Sequence, residues 1–169
     1  MGSFSFDIVS DYDKAEMNNV FDQATREIAS RYDFKATSAN LEWLDADKTG
    51  LKITGDSEYH IDAILDIIRK KLASRGLSQK VLDVSKDSTV TNLKTTKEVL
   101  FKKGISSDNA KKVNAKIRDA YPKVKPTIQG DEIRVSAPKK DELQAVMQLL
   151  READFDFPLS FTNFRWLLR

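Results

Sequence analysis

The sequence predicts an α+β protein made of two tandem copies of one small β-α-β-β-α-β unit, and a repeat carries most of that expectation. Residues 51–69, LKITGDSEYHIDAILDIIR, align without a gap on residues 133–151, IRVSAPKKDELQAVMQLLR, at a shift of 82 positions. Leu51, Ile53, Ile61, Ala63, Ile64, Leu65, Ile67 and Ile68 coincide with Ile133, Val135, Leu143, Ala145, Val146, Met147, Leu149 and Leu150. Lys52, Thr54 and Arg69 coincide with Arg134, Ser136 and Arg151. A fixed shift with matched apolar positions marks an internal duplication. Strand-like and helix-like apolar periods also succeed one another in the same order in both halves. With 40% hydrophobic and 32% charged residues, the chain has the composition of a folded globular protein rather than a disordered one.

In the first copy, Phe6–Val9 alternates as a strand does. Ser10-Asp11-Tyr12-Asp13 offers helix caps, and Met17, Val20, Phe21, Ala24 and Ile28 then form an apolar stripe at helical spacing. Ala39, Leu41 and Trp43 alternate with Asn40, Glu42 and Leu44 as a second strand, and the turn Asp45–Gly50 leads into a third, Leu51–Thr54. A second helix is expected from near Ser57 to near Gly76, a glycine being a natural stop, and Leu77–Val84 reads as a short edge strand. Residues 85–96, SKDSTVTNLKTT, are polar and follow neither period, so they read as the connection.

The second copy opens with a strand near Lys97–Lys102 and a turn at Lys103–Ile105. A helix follows from about Ser107 to Tyr121, its apolar face expected at Ala110, Val113, Ile117 and Ala120, with Pro122 and Pro126 closing it. Lys125–Gln129 and Glu132–Ser136 form a hairpin turning at Gly130-Asp131. Lys139–Ala153 reads as the last helix and Leu159–Phe161 as the last strand. The order in each copy is that of a ferredoxin-like (split β-α-β) domain, with two helices on one face of an antiparallel sheet and the other face open.

Several function classes lose their parts at this level. No apolar run reaches the ~18 residues of a membrane span, and MGSFSF shows no signal-peptide pattern, so a cytoplasmic protein without membrane contact is expected. Cysteine is absent and histidine occurs once, which removes disulfides, thiol chemistry, Ser-His and Cys-His nucleophiles and the usual metal sets. His60 lies among isoleucines and reads as packing, and Asp45 and Asp47 belong to a turn. The glycines form neither GxGxxG nor a P-loop. No enzyme, cofactor or metal is expected.

Charge is unevenly shared. Residues 1–88 hold 12 Lys and Arg against 16 Asp and Glu, whereas residues 89–169 hold 16 against 10. The basic half is therefore the one suited to an anionic partner. Its sharpest feature is the strand-to-helix passage Lys102-Lys103-Gly104-Ile105-Ser106-Ser107-Asp108, followed one turn on by Lys111 and Lys112. Backbone amides and the helix dipole would face a phosphate there, although Ser106 or Ser107 is also a plain N-cap. The matching passage in the first copy, Ser10–Asp13, is acidic and would repel phosphate. On the open sheet faces the third strands would present Lys52 and Arg134 without aromatic rings, so phosphate contact by charge is conceivable and base stacking of the RNP1 kind is not supported. Trp43 and Trp166 read as packing residues.

FDIVS near the N-terminus, QATREIASRYDF at 23–34, IQGDEIRVS at 128–136, DELQAVMQLLR at 141–151 and PLSFTNFR at 158–165 together resemble the bacterial YajQ family over essentially the whole chain. The resemblance implies two RNP-like, ferredoxin-like domains whose first strands are exchanged. Domain 1 would be residues 10–103, completed by the strand near 97–102, and domain 2 residues 1–9 plus 104–169, completed by the strand near 6–9. It also implies a nucleotide ligand, with cyclic di-GMP or GTP as the guanine candidates, and a role as a regulatory effector that meets a protein partner. An RNA- or DNA-binding module using the open sheet faces and a protein-interaction scaffold stay open as alternatives. The phosphate-binding candidates are Lys102, Lys103, Ser106, Ser107, Lys111, Lys112, Arg134 and Lys52. Arg165-Trp166-Leu167-Leu168-Arg169 has RxxxR spacing but lacks the D/NxSxxG half of a PilZ site, and reads as coincidence.

Overall fold

A computed structural model describes residues 4–166. Nine strands and four helices follow one another in the order β1 (Phe4–Val9), α1 (Lys14–Ser30), β2 (Asn40–Trp43), β3 (Gly50–Gly55), α2 (Glu58–Ser74), β4 (Leu82–Asp83), β5 (Thr89–Thr91), β6 (Lys94–Phe101), α3 (Ser107–Ala120), β7 (Lys125–Gln129), β8 (Glu132–Ala137), α4 (Lys140–Glu152) and β9 (Ser160–Arg165). They form two compact units. One is Tyr12–Lys102; the other joins the chain before Tyr12 to the chain after Lys102.

All strand pairs are antiparallel, and the sheet orders are β7-β8-β1-β9 and β2-β3-β6-β4. In each sheet one of the two inner positions is filled by a first strand from the other repeat. β1 lies between β8 and β9, with Phe6 opposite Val135 and Ile8 opposite Ile133. β6 lies against β3, with Val99 opposite Leu51. The fold is thus two tandem ferredoxin-like domains with exchanged first strands.

In the N-terminal unit, Leu41, Leu51, Ile53, Val99 and Phe101 of the sheet pack with Met17, Val20, Ala24 and Ile28 of α1 and Ile61, Ile64 and Ile68 of α2. In the C-terminal unit, Phe6, Ile8, Ile133 and Val135 pack with Ala110, Val113 and Ile117 of α3 and Leu143, Val146 and Leu150 of α4. Each fully buried Phe, Ile or Val side chain contributes about 1.5–3 kcal/mol, so two buried residues on β1 weigh heavily in a unit this small. Helix ends follow their sequence signals. Asp13 caps α1 by accepting the Glu16 amide at 3.1 Å, and Gly76, at φ +77°, ends α2 while the Leu77 amide returns to the Leu72 carbonyl at 2.8 Å.

Three local expectations are corrected. Residues 85–96 are not only a connection: β5 and the start of β6 form a hairpin through Asn92-Leu93, at φ +52° and +66°. Two central residues at positive φ make the mirror-image turn that suits right-twisted strands, and Asn tolerates it where Leu does not. The apolar face of α3 takes Asn114 rather than Ala120, which is exposed beside Tyr121 at the helix end. β9 reaches Arg165 because a bulge at Asn163, φ +55°, re-aims the strand and lets pairing with β1 resume at Ser5.

Leu93 gives a direct stability test. It is 90% exposed, so removing its side chain forfeits no burial. Relief of the left-handed conformation is worth about 1–2 kcal/mol, against about 0.5–1 kcal/mol of extra chain entropy for glycine. Leu93→Gly is expected to stabilise the protein by about 0.5–1 kcal/mol in urea unfolding. A loss of stability would mean that the hairpin tip is held by its side chain.

Candidate functional site

Helix α3 begins at Ser107, and the Ser106 hydroxyl accepts the Asn109 amide at 3.2 Å, so Ser106 is the N-cap. Gly104 sits at φ +81° and donates its amide to the Ser10 carbonyl at 2.6 Å; Ile105 donates to the Asp131 carbonyl at 2.9 Å. A Cβ on Gly104 would come within 2.6 Å of an Asp131 carboxylate oxygen. The passage therefore spends two amides on its own fold and places a carboxylate beside the glycine, which removes the open amide nest a phosphate would need. What it leaves outward is charge: Lys103, Lys111 and Lys112 are exposed, as is Ser107. Lys102 is half-buried at the end of the N-terminal unit, and its amide donates to the Val81 carbonyl at 2.7 Å.

The two sheet-face cations expected to meet phosphate, Arg134 and Lys52, both lie beside carboxylates. Arg134 donates to Asp7 through Nε at 3.0 Å and a terminal nitrogen at 3.4 Å, and Asn163 donates to the same carboxylate at 2.9 Å. Arg134 holds the Asp7 carboxyl below the usual carboxylate range; burial opposes this and Asn163 adds to it. Lys52 stands between Glu42, 3.9 Å away, and Glu98, its partner across β6. Glu98 in turn binds Lys86 at 2.8 Å. The in-register rows of both open faces, Lys125, Thr127, Arg134, Asp7 and Thr162 in one sheet and Asn40, Glu42, Lys52, Thr54, Thr96 and Glu98 in the other, carry no aromatic ring. Neither row is a base-stacking platform. Among the described residues no cluster of His, Asp or Glu is placed to hold a metal, and no helix is long and apolar enough to cross a membrane.

The N-terminal unit also contains a cleft that the sequence did not single out. Trp43, at the end of β2, is half-buried; Phe21 stacks on it at 4.2 Å and 15°, and Phe101 meets it edge-on at 6.5 Å. Lys48 Nζ lies 5.1 Å from the ring centroid and donates to Asn18 Oδ1 at 3.1 Å. Trp43, Lys48 and Asn18, with Tyr12, Lys14, Met17 and Asp47, line an open cleft of about 140 Å³. Lys48 is placed by its backbone, at φ +58° in the β2–β3 turn. That conformation costs a non-glycine residue about 1–2 kcal/mol. It is held by the Asp45 carboxylate, which accepts the Thr49 amide at 3.0 Å and the Thr49 hydroxyl, and by the Lys48 amide on the Asp45 carbonyl at 3.1 Å. The Thr49 hydroxyl and amide hold the Asp45 carboxyl below its usual range. A cation over an exposed ring contributes about 0.5–1 kcal/mol; a nucleobase on the same kind of face is worth about 1–3 kcal/mol.

Two antiparallel sheets and four helices, arranged as tandem ferredoxin-like units with exchanged first strands, define the class of protein. The family described as "Nucleotide-binding protein YajQ-like" matches residues 4–165, and the chain belongs to that family. A nucleotide-binding protein of Nostoc punctiforme is 44% identical over 163 residues, 96% of this chain and 98% of that protein. Counterparts from Trichodesmium erythraeum and Thermobifida fusca are 47% and 45% identical, each covering 95% of this chain and 97% of their own length.

Proposed function

We propose that the protein binds a nucleotide through its phosphates, without catalysing a reaction, and that the ligand is a guanine nucleotide, GTP or cyclic di-GMP. The name shared by the relatives supports the ligand class. The observation that carries the reading in this chain is the group Lys103, Lys111 and Lys112 at the start of α3, exposed and, among the described residues, in no ion pair. Charges that are neither paired nor buried meet a phosphate without first breaking another contact. Ser107 adds a hydroxyl, and Lys102 lies next in the chain. Arg134 and Lys52 take no part in this reading, since carboxylates already flank both. In this role the protein is an effector whose bound form is recognised by a regulatory protein.

Contact by lysine charge, rather than by an amide nest, makes affinity depend steeply on salt. Calorimetry is expected to show GTP or cyclic di-GMP binding that weakens severalfold between about 50 and about 200 mM salt. Lys103→Glu with Lys112→Glu should weaken it further, by about tenfold or more. No heat with either nucleotide, or an unchanged affinity in the double variant, would sink the reading. A short RNA bound more tightly than either nucleotide at the same salt would favour the nucleic-acid alternative, against the ring-free sheet faces.

A further inference from the structure

We infer that the cleft beside Trp43 is a recognition site for the base of a phosphate-bearing nucleotide. The inference takes its ligand class from the nucleotide reading above and places recognition on a different surface, within the N-terminal unit.

Four features of the cleft point to this ligand. Trp43 is fixed from behind by Phe21 and from the edge by Phe101, so its ring is a rigid platform that loses little freedom when a second ring is laid on it. The cleft has an apolar floor in Met17 and a mouth of exposed polar groups, Lys14, Asn18, Asp47 and Lys48, which is the lining of a small-molecule site. Its volume of about 140 Å³ lies below the roughly 300 Å³ at which sites enclose a whole drug-sized ligand. It therefore takes one ring moiety and leaves ribose and phosphate at the mouth, where Lys14 and Lys48 stand. The fourth feature is the strained turn. Lys48 is kept in a left-handed conformation by Asp45 and Thr49, which fixes the point from which its side chain reaches over the ring.

The acidic neighbourhood foreseen for Ser10–Asp13 does not fill the cleft. The Asp13 carboxylate is committed to the Glu16 amide as the cap of α1. Within the lining two lysines face one carboxylate, Asp47, and a carboxylate there accepts from ring N–H and exocyclic amino donors of a base.

The sequence holds two tryptophans, so Trp166→Phe leaves Trp43 as the single reporter of the site. Titration of this variant with GTP is expected to quench Trp43 emission saturably. Guanosine should act at concentrations about tenfold or more higher, for want of phosphates, and tripolyphosphate should leave emission unchanged. Lys14→Glu with Lys48→Glu, both exposed and outside the core, should weaken the GTP response by about tenfold or more, with thermal unfolding still cooperative and lowered only by the lost Lys48 contacts to Trp43 and Asn18. Lys103→Glu with Lys112→Glu should leave the response of Trp43 to saturating GTP intact. Calorimetric GTP binding with a silent Trp43 would overturn the cleft and leave the nucleotide reading standing. Absence of both heat and quenching would overturn both. Quenching by tripolyphosphate as strong as by GTP would overturn recognition of the base.

Discussion

Phe6→Ala is expected to destabilise the C-terminal unit, not the unit that follows it in sequence. Phe6 is fully buried, faces Val135 across the β1–β8 pair, meets Phe161 edge-on at 5.4 Å and stacks on Phe164 at 6.1 Å. Truncating such a side chain costs about 3–5 kcal/mol, the lost transfer energy plus the cavity left behind. Hydrogen exchange reads where that cost falls. Amides of β1, β7, β8 and β9 should lose protection first, because β1 is an inner strand of their sheet and joins β9 to the β7–β8 hairpin. Val99→Ala is the mirror experiment: Val99 is buried opposite Leu51, so its loss should open β2, β3 and β6. Earlier loss of protection in Tyr12–Lys102 than in the C-terminal sheet after Phe6→Ala would contradict the strand exchange.

Why that exchange needed a family resemblance is a matter of what alternation encodes. Phe6 and Ile8, like Val99 and Phe101, reveal by their period which face of a strand is buried. They do not reveal which sheet the strand enters, since any ferredoxin-like sheet offers the same apolar face. The second helices and third strands were legible for the opposite reason: their apolar positions are specified twice, 82 residues apart, and Ile53, Ile64 and Ile68 bury as Val135, Val146 and Leu150 do. The β5–β6 hairpin escaped because its turn uses Leu93 where glycine is usual, and Asn92 alone is a weak signal.

The site was less legible than the fold, and for physical reasons. Lysine spacing located the exposed charge at the start of α3, but the partners of the Gly104 and Ile105 amides, Ser10 and Asp131, are distant in sequence and meet them only in the folded chain. Arg134 looked available on an open sheet face because its neighbour there, Asp7, is 127 residues away in sequence. Trp43 alternates as a core residue, and half of that is true: one side of its ring packs on Phe21. Its other environment depends on a positive φ at Lys48, a conformation that nothing in the string ADKTG announces.

The Asp7–Arg134 pair yields the second large effect, and its sign with pH is determined. Asp7 is 6% exposed and accepts from both Arg134 and Asn163, so Asp7→Ala strips a guanidinium and an amide of their acceptor at once. Breaking a fully buried pair costs about 3–5 kcal/mol. Arg134 keeps about a third of its side chain in solvent, and the orphaned charge can recover some hydration there. The expected loss is therefore nearer about 2–3 kcal/mol in urea unfolding. Asp7 has a folded pKa below its ordinary 3.8, with the Arg134 bond as the chief cause. Its contribution is thus complete above the unfolded value and is lost as pH falls from about 4 through the lower folded value. Wild-type stability should decline over that acid window more steeply than that of Asp7→Ala, which has no carboxylate left to protonate. Replacing both partners, Asp7→Leu with Arg134→Leu, should recover much of the loss, because an apolar pair leaves no charge unmatched. A double variant as unstable as the sum of the singles would show that the two residues act independently.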